Sequence, residues 1–135
     1  MKIFLDASVL VESCLASSLK FARADQLVSR KDAVTSAHAL AETYATLSGD
    51  PRIRISPSDA AQLVDDLASA PTVYTLEATD YRVLISSAPL KGVRGGAIYD
   101  ALHAQTARIA GCQEIHTLNV SHFRHVAADL KIVPV

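Results

Sequence analysis

Met1-Lys2-Ile3-Phe4-Leu5-Asp6-Ala7-Ser8-Val9-Leu10-Val11 opens the chain, and its pattern decides the fold. Ile3, Phe4 and Leu5 form a short unbroken apolar run, the pattern of a strand buried on both faces. Val9, Leu10, Ser13 and Cys14 then recur at helical spacing. A strand passing straight into a helix begins an α/β unit, and Asp6 lies at the junction. Open α/β sheets bind ligands just beyond the carboxyl ends of their strands, which is where this carboxylate falls. Asp is also a preferred helix N-cap. Both roles are open on this stretch alone.

The same alternation continues to the end of the chain. Helices are expected over about Ser8–Ala16 and Leu19–Arg30, then a strand at about Ala33–Thr35. Ser36 caps a third helix, whose stripe is Ala37, Leu40, Ala41, Tyr44 and Leu47 and whose end is marked by Gly49-Asp50-Pro51. Ser56-Pro57-Ser58-Asp59 starts a fourth, with Pro early and an acid in its first turn. A strand follows at Thr72–Thr75 and a helix at about Ala78–Ser87. Next comes a loop holding Pro89, Gly92, Gly95 and Gly96. A long helix over about Ala97–Ala110 ends at Gly111, followed by a strand at Glu114–Leu118. A short helix over about His122–Asp129 and a strand at Lys131–Val133 complete the pattern. Strands separated by one or two helices predict a three-layer α/β/α domain spanning residues 1–135, with a mainly parallel sheet of four to five strands.

Composition narrows the function classes. Half of the 135 residues are hydrophobic, a fifth are charged, and the net charge is −1. This excludes a disordered chain, and any nucleic acid must be held by local basic residues rather than a bulk positive field. Cys14 and Cys112 form no C-x-x-C pair, so they are expected to be reduced thiols near the core, not a redox or zinc motif. Asp6 and Glu12 interrupt the apolar N-terminus as a signal sequence, and no run approaches membrane-spanning length. A soluble, cytoplasmic protein is the expectation.

Most carboxylates have a turn, a helix start or a solvated helix face to explain them, but three do not. Asp6 ends the first strand. Glu42 lies beside the apolar stripe of its helix, flanked by Ala39 and Ala45, with His38 as the nearest group on that face able to carry charge. Asp100 has Gly96 and Ala97 one turn before it and His103 and Ala104 one turn after. Neither helix carboxylate has Lys or Arg at i±3 or i±4, so no helix salt bridge accounts for either. Each taken singly fits an ordinary surface acid. Together, three carboxylates on small-residue faces suggest a hard-cation site, where oxygen donors favour Mg²⁺ or Mn²⁺. Such sites serve phosphoryl chemistry, by activating water and stabilising the leaving oxygen. Among the histidines, His103 fits an exposed helix position with substrate contact as the alternative, and His116 a core or edge position. His122 and His125 are spaced i,i+3 without the other ligands of a zinc motif.

Four segments together carry a resemblance that covers nearly the whole chain. They are Asp6-Ala7-Ser8-Val9-Leu10-Val11, Ala41-Glu42, Gly95-Gly96-Ala97-Ile98-Tyr99-Asp100-Ala101-Leu102 with Ala107, and Thr117-Leu118-Asn119-Val120-Ser121-His122-Phe123. In this order and spacing the sequence resembles the PIN-domain family, specifically the VapC-type toxins of bacterial toxin–antitoxin pairs. The resemblance implies a parallel sheet covered on both sides and an acidic pocket at the strand carboxyl ends. It further implies a Mg²⁺- or Mn²⁺-dependent endoribonuclease that cleaves structured RNA such as tRNA or rRNA. Such proteins are usually homodimers held in check by a VapB-type antitoxin. Carried onto this chain, Asp6, Glu42 and Asp100 are the catalytic, metal-binding acids. Ser8, Thr117 and Asn119 are supporting polar groups. The late motif departs from the family where a fourth acid is common: Asn119 and His122 occupy the candidate positions. One fewer negative charge weakens a second metal site, so one cation is expected rather than two.

Lys91 and Arg94, just before the Gly-Gly pair, are the basic residues best placed to contact RNA phosphate, with loop solubility as their other explanation. Two rival functions follow from the same residues. The fold could serve mainly as an antitoxin- or RNA-binding module with little catalysis, which the missing fourth acid motivates. A haloacid-dehalogenase-type phosphatase also starts from a strand-end Asp, but it needs a second Asp two residues later, where this chain has Ser8.

Overall fold

A computed structural model describes residues 1–135. Five strands form one sheet: β1 (Ile3–Leu5), β2 (Ala33–Ser36), β3 (Thr72–Tyr74), β4 (Glu114–Thr117) and β5 (Lys131–Pro134). Their spatial order is β3-β2-β1-β4-β5 and every neighbouring pair is parallel. The seven helices are α1 (Ala7–Ser13), α2 (Phe21–Val28), α3 (Ala37–Gly49), α4 (Pro57–Ala68), α5 (Ala78–Ser87), α6 (Ala97–Ile109) and α7 (Val120–Val126). The chain builds outward from β1 through β2 to β3, then returns across the sheet to β4 on the other side of β1. The β1/β4 boundary is therefore the switch point, where an open parallel sheet leaves a crevice at its carboxyl edge. β1 is paired there with Leu5 opposite His116, so Asp6 and Thr117 follow in adjacent positions.

The alternation of side chains along β1 divides the core. Ile3 and Leu5 pack with Val9, Leu10, Ala24, Leu27 and Val28 of α1 and α2. Phe4 packs on the opposite face with Ala104, Ala107, Ile115 and Phe123, the layer of α6 and α7. All three β1 residues are fully buried, as a central parallel strand requires. A smaller cluster of Val11, Leu47 and Ala60 joins α1, α3 and α4. Small residues bring α6 close to the sheet: Ala104 and Ala107 are fully buried.

The elements match the sequence pattern in number and order and differ at their ends. α1 stops at Ser13, with Cys14 as its C-cap, because Cys14 and Leu15 turn back toward the preceding carbonyls. α7 starts at Val120, two residues before the expected start, since Asn119 takes the position preceding the helix. β5 runs through Pro134, which an edge strand tolerates because its missing N–H costs no ladder bond on the open side. Cys14 is half-buried, Cys112 buried, and both are free thiols. Burial pushes the Cys112 thiol up to about 11. No helix is long and apolar enough to cross a membrane.

Candidate functional site

A cavity of about 630 Å³ opens at the carboxyl edge of β1 and β4. Asp6, Glu42 and Asp100 all line it, together with Ser8, His103, Asn119 and His122. These residues come from segments far apart in sequence and meet because their elements end at one edge. Asp6 follows β1, Glu42 is on α3 directly after β2, Asp100 is in the first turn of α6, and Asn119 follows β4.

Asp6 caps α1 and also lines the cavity. Its backbone is extended and its Oδ1 accepts from Val9 N at 3.4 Å, so it caps α1. The Ser8 hydroxyl donates to the same oxygen at 2.6 Å, and the Thr117 hydroxyl donates to Oδ2 at 2.7 Å. These two hydroxyls also accept from the late segment, Ser8 from Leu118 N at 3.0 Å and Thr117 from Asn119 N at 2.9 Å. The first and last motifs are thus tied by hydroxyls that donate to Asp6 and accept from the backbone after β4. Burial pushes the Asp6 carboxyl above the ordinary carboxylate range, opposed by the Ser8 and Thr117 bonds and by His103.

Glu42 is held from its side by imidazoles. His103 Nε2 lies 2.7 Å from Glu42 Oε1, and His38 Nε2 lies 3.0 Å from the same oxygen without hydrogen-bonding alignment. Burial pushes the Glu42 carboxyl up, but the His103 bond and attraction to both rings outweigh it and hold the group below its ordinary value. Asp100 is less compensated. Burial pushes it up, Glu42 and Asp6 push it further, and His122 and His103 oppose. The imidazole of His122 lies beside it, with Nδ1 at 3.8 Å from Oδ2.

The structure brings Asp6, Ser8, Glu42, Asp100 and Asn119 to one cavity and puts Thr117 beneath Asp6. It puts Lys91 in a different, more apolar cavity between α5, α6 and α7, and Arg94 lines neither that one nor the acidic one. His103 is not an exposed helix residue: it is 2 % exposed, because the face of α6 that carries it packs against Phe4 and β2. His116 is buried, as expected of a central strand. One residue at the cavity, Arg52, escaped the sequence reading, as did the pairing of the late-motif His122 with Asp100. Arg52 lines it from the loop after α3, paired with Asp50 at 2.8 Å, and His122 sits beside Asp100. The Gly49-Asp50-Pro51 turn gives Arg52 no periodicity, whereas the offset from Asp100 to His122 is purely tertiary.

The donor set is chemically that of a hard cation: carboxylate, amide and hydroxyl oxygens around a site whose acids repel one another. No three acidic or histidine side chains are close enough to hold one ion directly as they stand. A Mg²⁺ ion that keeps several waters and touches only one or two carboxylates suits this spacing.

Comparison with known proteins agrees with the geometry. The PIN domain family model matches residues 3–129. Ribonuclease VapC27 of Mycobacterium tuberculosis is 34% identical over 106 residues, covering 76% of this chain and 74% of that protein. Ribonuclease VapC40 from the same species is 38% identical over 78 residues, covering 57% of this chain and 58% of its own. Among solved structures, Mycobacterium tuberculosis VapC20, a sarcin-ricin loop cleaving toxin, superposes with a TM-score of 0.67 at 23% identity over 84% of this chain and 87% of its own. VapBC2 of Rickettsia felis, bound to a DNA fragment from its promoter, gives 0.70 at 18% identity over 100% and 99%. Matched along nearly its whole length, with the strand-end acid and the two helix acids in one cavity, the chain belongs to the PIN-domain family as a VapC-type toxin.

Proposed function

We propose that the chain is a Mg²⁺- or Mn²⁺-dependent endoribonuclease, the toxin of a VapBC-type pair, acting on structured RNA such as tRNA or rRNA. The observation that carries this reading is the meeting of Asp6, Glu42 and Asp100 in one cavity from three distant segments. Asp6, Asp100 and Glu42 would hold the cation, with Asn119 and Ser8 as neutral oxygen donors around it. When bound, the cation supplies activation of water and positive charge at the phosphodiester. The chain's own part is positioning. Ser8 and Thr117 orient Asp6 and favour its ionised form against the effect of burial, and Asp100 is left undercompensated and ready for positive charge. Arg52 offers a guanidinium at the rim for phosphate, and Lys91 and Arg94 would contact RNA running beyond the cavity. The protein is proposed to be cytoplasmic and homodimeric, restrained by a VapB-type antitoxin; VapBC2 of Rickettsia felis shows such a partnership for that protein.

The test is cleavage of total tRNA and rRNA by the purified chain in Mg²⁺. The unmodified protein should cleave, and Asp6→Asn and Asp100→Asn should not while keeping native circular dichroism. Full cleavage by both variants would overturn the assignment. A second reading, a binding module with weak catalysis, is favoured by one observation: each carboxylate already has protein partners and no three converge on one point. It predicts RNA or antitoxin binding with no saturable Mn²⁺ site.

A further inference from the structure

We propose that His103 is a positioning residue that sets the orientation of Glu42, and that Ser36 fixes the tautomer in which it does so. The inference rests on the reading of Glu42 as a cation-binding acid. His103 spans two elements: Nδ1 lies 3.1 Å from Ser36 Oγ and Nε2 lies 2.7 Å from Glu42 Oε1. Ser36 and His103 are both buried, with 4% and 2% exposure, so their polar atoms have no bulk water to fall back on.

The direction of each bond follows from donor counting. Ser36 is the N-cap of α3, and its oxygen accepts from Ala39 N at 2.9 Å. Its hydroxyl proton therefore needs an acceptor, and Nδ1 of His103 is the one in reach. With Nδ1 accepting, the ring proton is on Nε2, which donates to Glu42 Oε1. The helix cap thus decides the tautomer, and the tautomer decides that Glu42 receives a donor. Only Oε1 is engaged, so the second carboxylate oxygen remains available to a ligand. Phe4 packs 5.8 Å from the ring and keeps it in place. Partners that hold a metal-binding carboxylate or imidazole in this way commonly change metal affinity about 10–100-fold when removed.

Two measurements test the proposal. Nitrogen–proton correlation NMR of the unmodified protein should show His103 protonated on Nε2 and bare on Nδ1; a proton on Nδ1, alone or with Nε2, would overturn the Ser36 step. Mn²⁺ binding by electron paramagnetic resonance, with thermal midpoints in parallel, tests the positioning. His103→Gln puts an amide donor near the position of Nε2, whereas His103→Asn puts it near Nδ1. H103N should weaken Mn²⁺ binding about ten-fold or more and H103Q should stay close to the unmodified protein. A merely structural role would make both variants lose binding in proportion to their lost stability, and that result would overturn the proposal. Glu42→Gln separates the two readings. Weakened binding in E42Q with unchanged binding in H103N defeats the positioning role alone. Unchanged binding in E42Q removes Glu42 from the cation site and the positioning role with it.

Discussion

Thr117 shows how a residue without charge can govern a charged one. Its hydroxyl donates to Asp6 at 2.7 Å from a fully buried position, and burial raises the cost of keeping that carboxylate ionised. Thr117→Val preserves shape and removes the donor. We expect a loss of about 1–3 kcal/mol in chemical denaturation, with weaker RNA cleavage, because a buried charged acceptor is left short of a bond. Unaltered stability would mean that water replaces the hydroxyl at no cost. Asp100→Asn should move stability the opposite way. The raised pKa of Asp100 means that the unfolded chain loses this proton first, so its ionisation costs folded-state stability as pH rises above the unfolded value near 4. Replacing it with a neutral amide should therefore raise the thermal midpoint of the cation-free protein at neutral pH while cleavage is lost. A lower midpoint would show that the His122 contact outweighs burial and repulsion.

At this same scale the sequence was informative about acids and poor about their partners. Asp6 stood out because it ends a strand, and Glu42 and Asp100 because no Lys or Arg one helical turn away explained them; both are local properties. His103 was misread as exposed because helical spacing from Asp100 says nothing of which face meets β2. Arg52 was missed for the same reason, since a turn residue acquires its place from the packing of α3 against α1 and α4.

Elements set how precisely these residues are held. Asp6, Ser36 and Ser56 each cap the helix that follows, and each accepts from the backbone N–H three residues on. Ser56 alone makes no hydrogen bond to a cavity residue, since Ser36 lies beneath the cavity against His103. Ser56→Ala should cost about 1 kcal/mol in denaturation and leave cleavage unchanged, because α4 bears none of the site residues. A comparable loss of cleavage would place α4 in the catalytic unit. Cap residues were also the legible part of the element boundaries: Ser36, Ser56-Pro57 and Gly111 marked real ends, whereas the start of α7 and the end of β5 lacked such marks and shifted. The turn after α3 has its own pH signature. Arg52 holds Asp50 down to about 2, so the contribution of this pair is present above the unfolded pKa near 4 and is lost as pH falls through about 2. Amide protection at Arg52 should fade over that interval; protection persisting below pH 2 would show that the backbone alone holds the turn.

The whole molecule explains why the site lies where it does. A parallel sheet that grows from β1 toward β3 and then restarts at β4 leaves its crevice beside β1, and the first strand-end residue is therefore the anchor of the cavity. The five-strand α/β/α arrangement was readable from alternating apolar segments, while the strand order emerges only from the pairing itself. Gathered acids at that crevice leave the cation-free protein with unmet negative charge. A divalent cation is expected to meet that charge. Calorimetric titration of Mn²⁺ into the unmodified chain and into Asp100→Asn tests this most directly. Saturable binding by the first and none by the second is the predicted result. No saturable binding by the unmodified chain, or equal binding by both, would contradict the claim.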